Sequence, residues 1–268
     1  GMKEAIRVLL PVFLGFVVTH FVLIVYGILA HAGNFAALVP ATLEETRSLG
    51  REMGWTSLAA FLLLAYAQGG GTYTGLEAVS NNVNVLAEPR KRTGQLTMLY
   101  MAASLAFTAG GIILLYLLWD VQHVEGQTYN AVAFGAVLRD MGFDGPVSHP
   151  TALLVVLALE AGLLFVAANT GFLGGPAVLA NMASDSWVPH KFRYLSTRLV
   201  TENGILVMGI AAFAVLWATA GSVTLLVVLY SISVFLTFAV SLWGLSLYWW
   251  GARRAPQRLR RLALSLAG

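Results

Sequence analysis

The sequence predicts an all-α polytopic membrane protein, and three observations carry that reading. Of its 268 residues 58% are hydrophobic and only 11% charged, a balance far too apolar for a water-soluble domain. The apolar residues gather in runs that reach the roughly 20 residues a helix needs to cross a bilayer. The basic residues fall almost wholly on one side of those runs. With the N-terminus inside, Lys3, Arg7, Arg90, Lys91, Arg92, Lys191, Arg193, Arg198, Arg253, Arg254, Arg258, Arg260 and Arg261 lie inside, and only Arg47, Arg51 and Arg139 outside. That is the bias membrane topology imposes, and the opposite orientation would invert it. Both chain ends are then cytoplasmic, in a cell (inner) membrane, and the net charge of +3 reflects topology rather than a nucleic-acid partner.

Six spanning helices are predicted, at about 6–30, 55–85, 96–119, 151–184, 205–220 and 223–250, within one transmembrane domain over 1–268. The first follows Lys3 and Arg7 as a signal peptide would. Its apolar core exceeds the roughly 7–15 residues of a signal core, however, and no small-residue cleavage site follows. His31 to Gly54 reads as a partly helical surface segment. The loop from Ala87 to Gly94 turns the chain into the third helix. Asp120 to Pro150 forms a long outer loop, in which 130–138 has the apolar spacing of a short interfacial helix. Such a piece could shield the outer mouth or be a passive loop. The fourth helix is over-long, and Gly171, Gly174, Gly175 and Pro176 predict a bend near its inner end. A hairpin around Ala220, Gly221 and Ser222 joins the fifth and sixth helices. Trp243, Tyr248, Trp249 and Trp250 form an inner aromatic belt. The tail from Pro256 is basic and then apolar, as if another element were beginning.

The second predicted helix carries the chemistry. Gly69, Gly70 and Gly71 interrupt it, and a carboxylate, Glu77, follows at membrane depth. Backbone freed from helical hydrogen bonds in a bilayer must be buried in protein or line a watery cavity. Intramembrane acids commonly mark functional sites. Together these features describe a discontinuous helix of the kind by which secondary transporters hold substrate near the midplane. Thr74 and Glu77 have the spacing of a capping box, in which the helix restarts at Thr74 and Glu77 satisfies a free backbone N–H. The same oxygens and the unwound carbonyls beside Gly71 and Tyr73 could replace the hydration shell of a monovalent cation. Glu77 could equally carry a proton.

Other polar residues in the apolar runs have two readings each. Glu160 is either a coupling residue or a hydrogen-bond partner for a group on a neighbouring helix. Asn169 and Thr170 could offer oxygens to an ion or simply pack between helices. Tyr230 is a gate or a cation-facing hydroxyl, or else a buried tyrosine with an ordinary partner. His20 is a proton-relay candidate or a hydrogen-bonded histidine of the bundle. No cysteine is present, which excludes disulfides and thiolate chemistry. The glycines are not a phosphate cradle, for no Gly-Lys-Ser/Thr follows them. No metal spacing and no hydrolase elbow occurs, so neither a cofactor nor enzymatic activity is expected.

These residues resemble a known family. The run 71–81, with Thr74, Gly75, Glu77, Ala78, Ser80 and Asn81, followed by Glu88 and Pro89, is similar to the sixth helix of amino acid–polyamine–organocation (APC) superfamily permeases, most of all the KimA-like potassium-importer branch. Ala167, Ala168, Asn169 and Thr170 are similar to that branch's eighth helix. Arg198, Leu199 and Val200 with Asn203, Gly204 and Ile205 resemble its ninth. Gly221 to Thr224 with Leu229, Tyr230, Val234, Phe235 and Leu236 resemble its tenth. The resemblance implies a LeuT-type fold of two inverted five-helix repeats, of which this chain would supply the fifth to tenth helices. It puts the family's cation-site threonine and glutamate on Thr74 and Glu77, and a site tyrosine on Tyr230. The missing helices, among them the other broken one, imply a fragment or a truncated gene model.

The expectation is a secondary-active permease, proton- or sodium-coupled, with potassium as substrate and the bilayer and the missing N-terminal helices as partners; a homo-oligomer is compatible with it. Glycines stand where the family has a less open stretch, so an amino acid substrate remains a rival. A non-transporting membrane subunit or scaffold is a rival of another class.

Overall fold

The computed structural model of the chain describes residues 2–70, 79, 83, 86–197, 200–252 and 257–267. All regular structure among them is helical: α1 (Met2–Ala30), α2 (Phe35–Met53), α3 (Trp55–Gln68), α4 (Arg90–Leu118), α5 (Tyr129–Asp140), α6 (Ser148–Ser184), α7 (Glu202–Ala218), α8 (Val223–Gly251) and α9 (Arg258–Ala267). Four of these contain stretches long and apolar enough to cross a membrane, namely Leu9–Ala30, Arg90–Leu118, Ser148–Ser184 and Val223–Gly251. Two further apolar helices, α3 and α7, are shorter, at 14 and 17 residues. The 37 residues of α6 extend about 55 Å at 1.5 Å per residue, well beyond a hydrocarbon core of about 30 Å. Many large apolar side chains on these helices point outward, Leu164, Phe165, Ile210 and Trp217 among them. In water this would be untenable, but in lipid it is the expected surface.

The helices end where their residues dictate. α4 starts six residues before the predicted Leu96, directly after Pro89. α6 starts at Ser148, with Pro150 in its first turn, where the missing N–H costs nothing. It continues without interruption through Gly171 to Pro176. Those small residues serve packing. A side chain at Gly204 would meet Pro176 Cβ at 2.9 Å, and one at Gly175 would meet Met208 Sδ at 2.8 Å. Their absence lets α6 and the start of α7 approach closely. The turn before α8 takes positive φ at Ala220 (50°) and Gly221 (70°). Ser222 then caps α8, its hydroxyl accepting from the Leu225 N–H.

The chain forms two compact units, residues 1–48 with 76–210 and residues 49–75 with 211–268. In the first, Leu23 and Ile24 of α1, Leu115 of α4, Phe134, Val137 and Leu138 of α5 and Val156 of α6 form one buried cluster. α5 therefore does not lie passively in its loop as a surface piece would. Thr128 caps it by accepting from the Ala131 N–H, and its apolar face, centred on the fully buried Phe134, packs on α1, α4 and α6. The apolar face is broad, with Ala131, Ala133, Phe134, Gly135, Val137 and Leu138 all buried, and the surfaces of α1, α4 and α6 supply the partner it packs on. Three side-chain bonds fasten the neighbourhood. Trp119 Nε1 donates to the Gly27 carbonyl at 3.0 Å, Tyr26 OH donates to Asp140 at 2.9 Å, and His149 Nε2 donates to the Gly135 carbonyl at 3.0 Å.

In the second unit α3 packs on α8, and α9 folds back along the end of α8. Arg258 donates from Nε and Nη2 to the carbonyls of Trp249 and Trp250, both at 2.9 Å. It thereby satisfies two carbonyls that the end of α8 leaves without helical partners. Arg261 lies over the Trp249 ring, 4.7 Å from its centre, and Ser246 donates to Ser265 at 2.9 Å. The basic-then-apolar tail is thus a helix held against the aromatic end of α8.

Candidate functional site

A polar network is assembled inside the apolar core of the first unit, and glycines set its register. Gly15 of α1 faces Leu159 of α6, and Gly162 of α6 faces Val12 of α1; added side chains would come within 2.9 and 2.7 Å of these neighbours. This reciprocal fit brings His20, one to two turns further along α1, beside Glu160. His20 Nε2 is 3.1 Å from Glu160 Oε1. The histidine is 2% exposed and the glutamate side chain 19%. Asn130, in the first turn of α5, donates from Nδ2 to the same Glu160 oxygen at 2.7 Å. Tyr116 of α4 donates its hydroxyl to Asn130 Oδ1. Four helices thus supply one side chain each to a chain of hydrogen bonds.

The imidazole is held from all sides. Phe16 stacks on it at 3.9 Å between ring centres, and Phe134 meets it edge-on at 5.0 Å. Its Nδ1 lies 3.0 Å from the Phe16 carbonyl. The Thr19 hydroxyl, 3.4 Å from Nδ1, also lies 2.8 Å from the Gly15 carbonyl, to which it can donate. Such a network can orient, bind or relay a proton. Uncompensated polar groups at this depth would be costly, which is why they are found bonded to one another.

In the second unit α3 stops at Gln68, with the Gly69 N–H closing its last turn onto Ala65. Gly70 lies close against Phe235 of α8, whose ring would be 2.8 Å from an added side chain, and Tyr66 faces the same ring at 5.9 Å. Tyr230 and Ser231 lie one turn earlier on α8. Tyr230 is partly exposed, whereas Ser231 is buried and its hydroxyl has no hydrogen-bond partner among the described residues.

The other expected site residues divide clearly. Gly71, Tyr73, Thr74 and Glu77 lie outside the described residues, as do Asn81, Arg198, Leu199, Arg253 and Arg254. Asn169 donates to the Phe165 carbonyl at 3.2 Å and Thr170 to that of Val166 at 3.3 Å, so both bond their own helix. Glu160 and His20, read from sequence as separate candidates, are partners. Sequence reasoning missed Asn130 and Tyr116. The available signal was Asn130, a carboxamide two residues beyond a capping threonine at the head of an apolar helix. Among the described residues no three His, Asp or Glu side chains are grouped as metal ligands.

A family model described as amino acid permease matches residues 1–267. The chain is 29% identical over 263 residues to the potassium transporter KimA of Bacillus subtilis (strain 168), an alignment covering 93% of this chain and 39% of that protein. It therefore spans about two-fifths of the length of this curated relative.

Proposed function

Because the chain belongs to the amino acid permease family, matched over residues 1–267, we propose that it forms part of the helical body of a secondary-active permease that takes up potassium together with a proton. One observation carries the choice of cargo: the likeness to a potassium transporter extends over 93% of the chain. In this reading α3 is the first half of a discontinuous helix in a LeuT-type repeat. Thr74 and Glu77 begin the second half and, with the carbonyls around Gly71 and Tyr73, strip the water from a monovalent cation. Tyr230 supplies a hydroxyl from α8. Both chain ends face the cytoplasm in the cell membrane, as the distribution of basic residues requires.

The family's own description favours a second cargo, an α-amino acid. Its carboxylate would sit at the N–H groups of the second half-helix, in a cavity widened by the glycines. Glu77 argues against this reading, because an anion beside an ionised carboxylate is repelled.

The test is uptake by the intact polypeptide in proteoliposomes, with radioactive rubidium as the potassium stand-in and labelled amino acids as the rival. Glu77→Gln keeps the capping-box bond but removes the charge. A loss of about 3 kcal/mol of cation stabilisation would weaken affinity more than a hundredfold. Near-normal rubidium uptake by Glu77→Gln would refute the charge role, and uptake of amino acids alone would replace potassium as cargo.

A further inference from the structure

The proton count at His20 and Glu160 leads beyond the cation site. The Phe16 carbonyl 3.0 Å from His20 Nδ1 can only accept a hydrogen bond, so the favourable arrangement has a proton on Nδ1. The other ring nitrogen then faces Glu160 Oε1 at 3.1 Å, and that contact is attractive only if one more proton lies in it. Either Nε2–H donates to an ionised carboxylate, or a protonated carboxyl donates to the Nε2 lone pair. The two forms hold the same number of protons. Removing that proton turns the contact into two acceptors face to face. The competing form, a neutral Nε2–H imidazole, instead sets the Nδ1 lone pair against the Phe16 carbonyl.

We infer that His20 and Glu160 together bind one exchangeable proton, and that this proton fastens α1 to α6. The inference rests on the permease reading for its role, in which the pair is a proton-loading site separate from the cation site around Glu77. The proton enters and leaves through Glu160, the more exposed partner at 19% against 2% for His20. Asn130 keeps its bond to Glu160 in both states, since a carboxylate and a carboxyl each retain an accepting lone pair. The α5–α6 contact therefore persists while the α1–α6 joint responds.

Of the other titratable groups on the packed elements, Arg90, Lys91 and Arg92 start α4, and Tyr129 at the start of α5 packs against the rings of Tyr116 and His123. Tyr116 of α4 bonds Asn130, which bonds Glu160, and it also lies near enough to feel the Glu160 charge directly. Tyr26 of α1 and Asp140 at the far end of α5 are bonded to each other. Arg139 beside Asp140 is exposed. His149 of α6 is engaged with the Gly135 carbonyl and lies roughly 16 Å along the helix from Glu160 at 1.5 Å per residue.

Glu160→Gln isolates the idea. With its nitrogen towards His20 the carboxamide donates to the Nε2 lone pair, as the protonated carboxyl does, and has no proton to release; because His20 and Asn130 meet the same Glu160 oxygen, that nitrogen cannot also accept from Asn130. The experiment is nitrogen NMR of the intact polypeptide, labelled at histidine and reconstituted in nanodiscs, with His20→Gln identifying the His20 signals among the five histidines. Nδ1 of His20 should stay protonated throughout, and a single pH step at Nε2 should be lost in Glu160→Gln. A neutral Nε2–H imidazole with bare Nδ1 at every pH, or a step that survives Glu160→Gln, would overturn the proton site. In the transport arm, wild-type rubidium uptake should vary by up to about tenfold per pH unit, as one linked proton allows. Glu160→Gln should be folded and flat across the same range, and an unchanged pH profile would overturn the coupling role. If the wild type moves no rubidium, the potassium reading fails, while the NMR outcome still decides the proton site.

Discussion

Replacing Phe134 with alanine probes whether α5 belongs to the core or merely rests on it. The ring is fully buried, sits edge-on to His20, and shares a cluster with Ile24, Leu115 and Val137. Deleting such a ring costs about 3–5 kcal/mol in lost transfer energy and residual cavity. A surface helix would lose less than about 0.5 kcal/mol. If α5 opens as a unit, 4 kcal/mol raises the population of the open form by nearly a thousandfold, since 1.4 kcal/mol is a factor of ten. The chain has no cysteine, so Val137→Cys gives one buried thiol on α5 at a fully buried position. Its rate of maleimide labelling in nanodiscs reads the opening directly. In the background of this one thiol, Phe134→Ala should accelerate labelling by two to three orders of magnitude, roughly the range those energies imply. Acceleration below about tenfold, equivalent to 1.4 kcal/mol, would mean that α5 rests on the bundle and that the core assignment is wrong.

Three further outcomes are expected. Gly162→Ala puts a methyl 2.7 Å from Val12 Cγ1 and should destabilise the fold by about 1–3 kcal/mol, as overpacking does; Val12→Ala in the same chain should restore most of the unfolding midpoint, and failure of that rescue would detach the glycine from the α1–α6 contact. Ser231→Ala removes a buried hydroxyl without a partner among the described residues, so the denaturation midpoint should hold or rise, because an unmade hydrogen bond costs about 1–3 kcal/mol; a lower midpoint would mean that the hydroxyl has a partner. Tyr230→Phe should weaken the apparent affinity for rubidium in the intact polypeptide with expression unchanged, and identical kinetics would return Tyr230 to packing.

The long helices could be read from sequence because lipid leaves little choice: an apolar run of sufficient length must close its backbone hydrogen bonds within itself. α1, α6 and α8 accordingly fall within a few residues of their expected bounds. The larger discrepancies have local causes. α4 begins at Arg90 because basic residues are tolerated in the terminal turn of a spanning helix, where they reach the interface; an apolar-run criterion starts counting only after them. α5 was visible as a helix, but its apolar spacing serves equally for lying on a membrane and for entering a core. What settles the matter is the partner surface on α1, α4 and α6, and nothing in residues 129–140 encodes it.

The same limit applies more strongly to the polar network. His20 and Glu160 are 140 residues apart, and each taken alone reads as one polar residue in an apolar helix. Yet the sequence contains the constraint that joins them. A charge or imidazole inside a bundle must find a partner there, because leaving it unpaired costs more than most single contacts supply. Small residues mark where helices approach closely enough for such partners to meet. Gly15 lies five residues before His20 and Gly162 two after Glu160, and the structure sets each against the other's helix. The two glycines and the two polar residues form one device, in which close approach makes the bond possible and the bond fixes the register. A sequence search for intramembrane acids and histidines within two turns of a glycine would have flagged both residues, along with Glu77 beside Gly75, without pairing them. It would not have found Tyr116, whose place in the network depends on Asn130 and hence on α5 folding into the core.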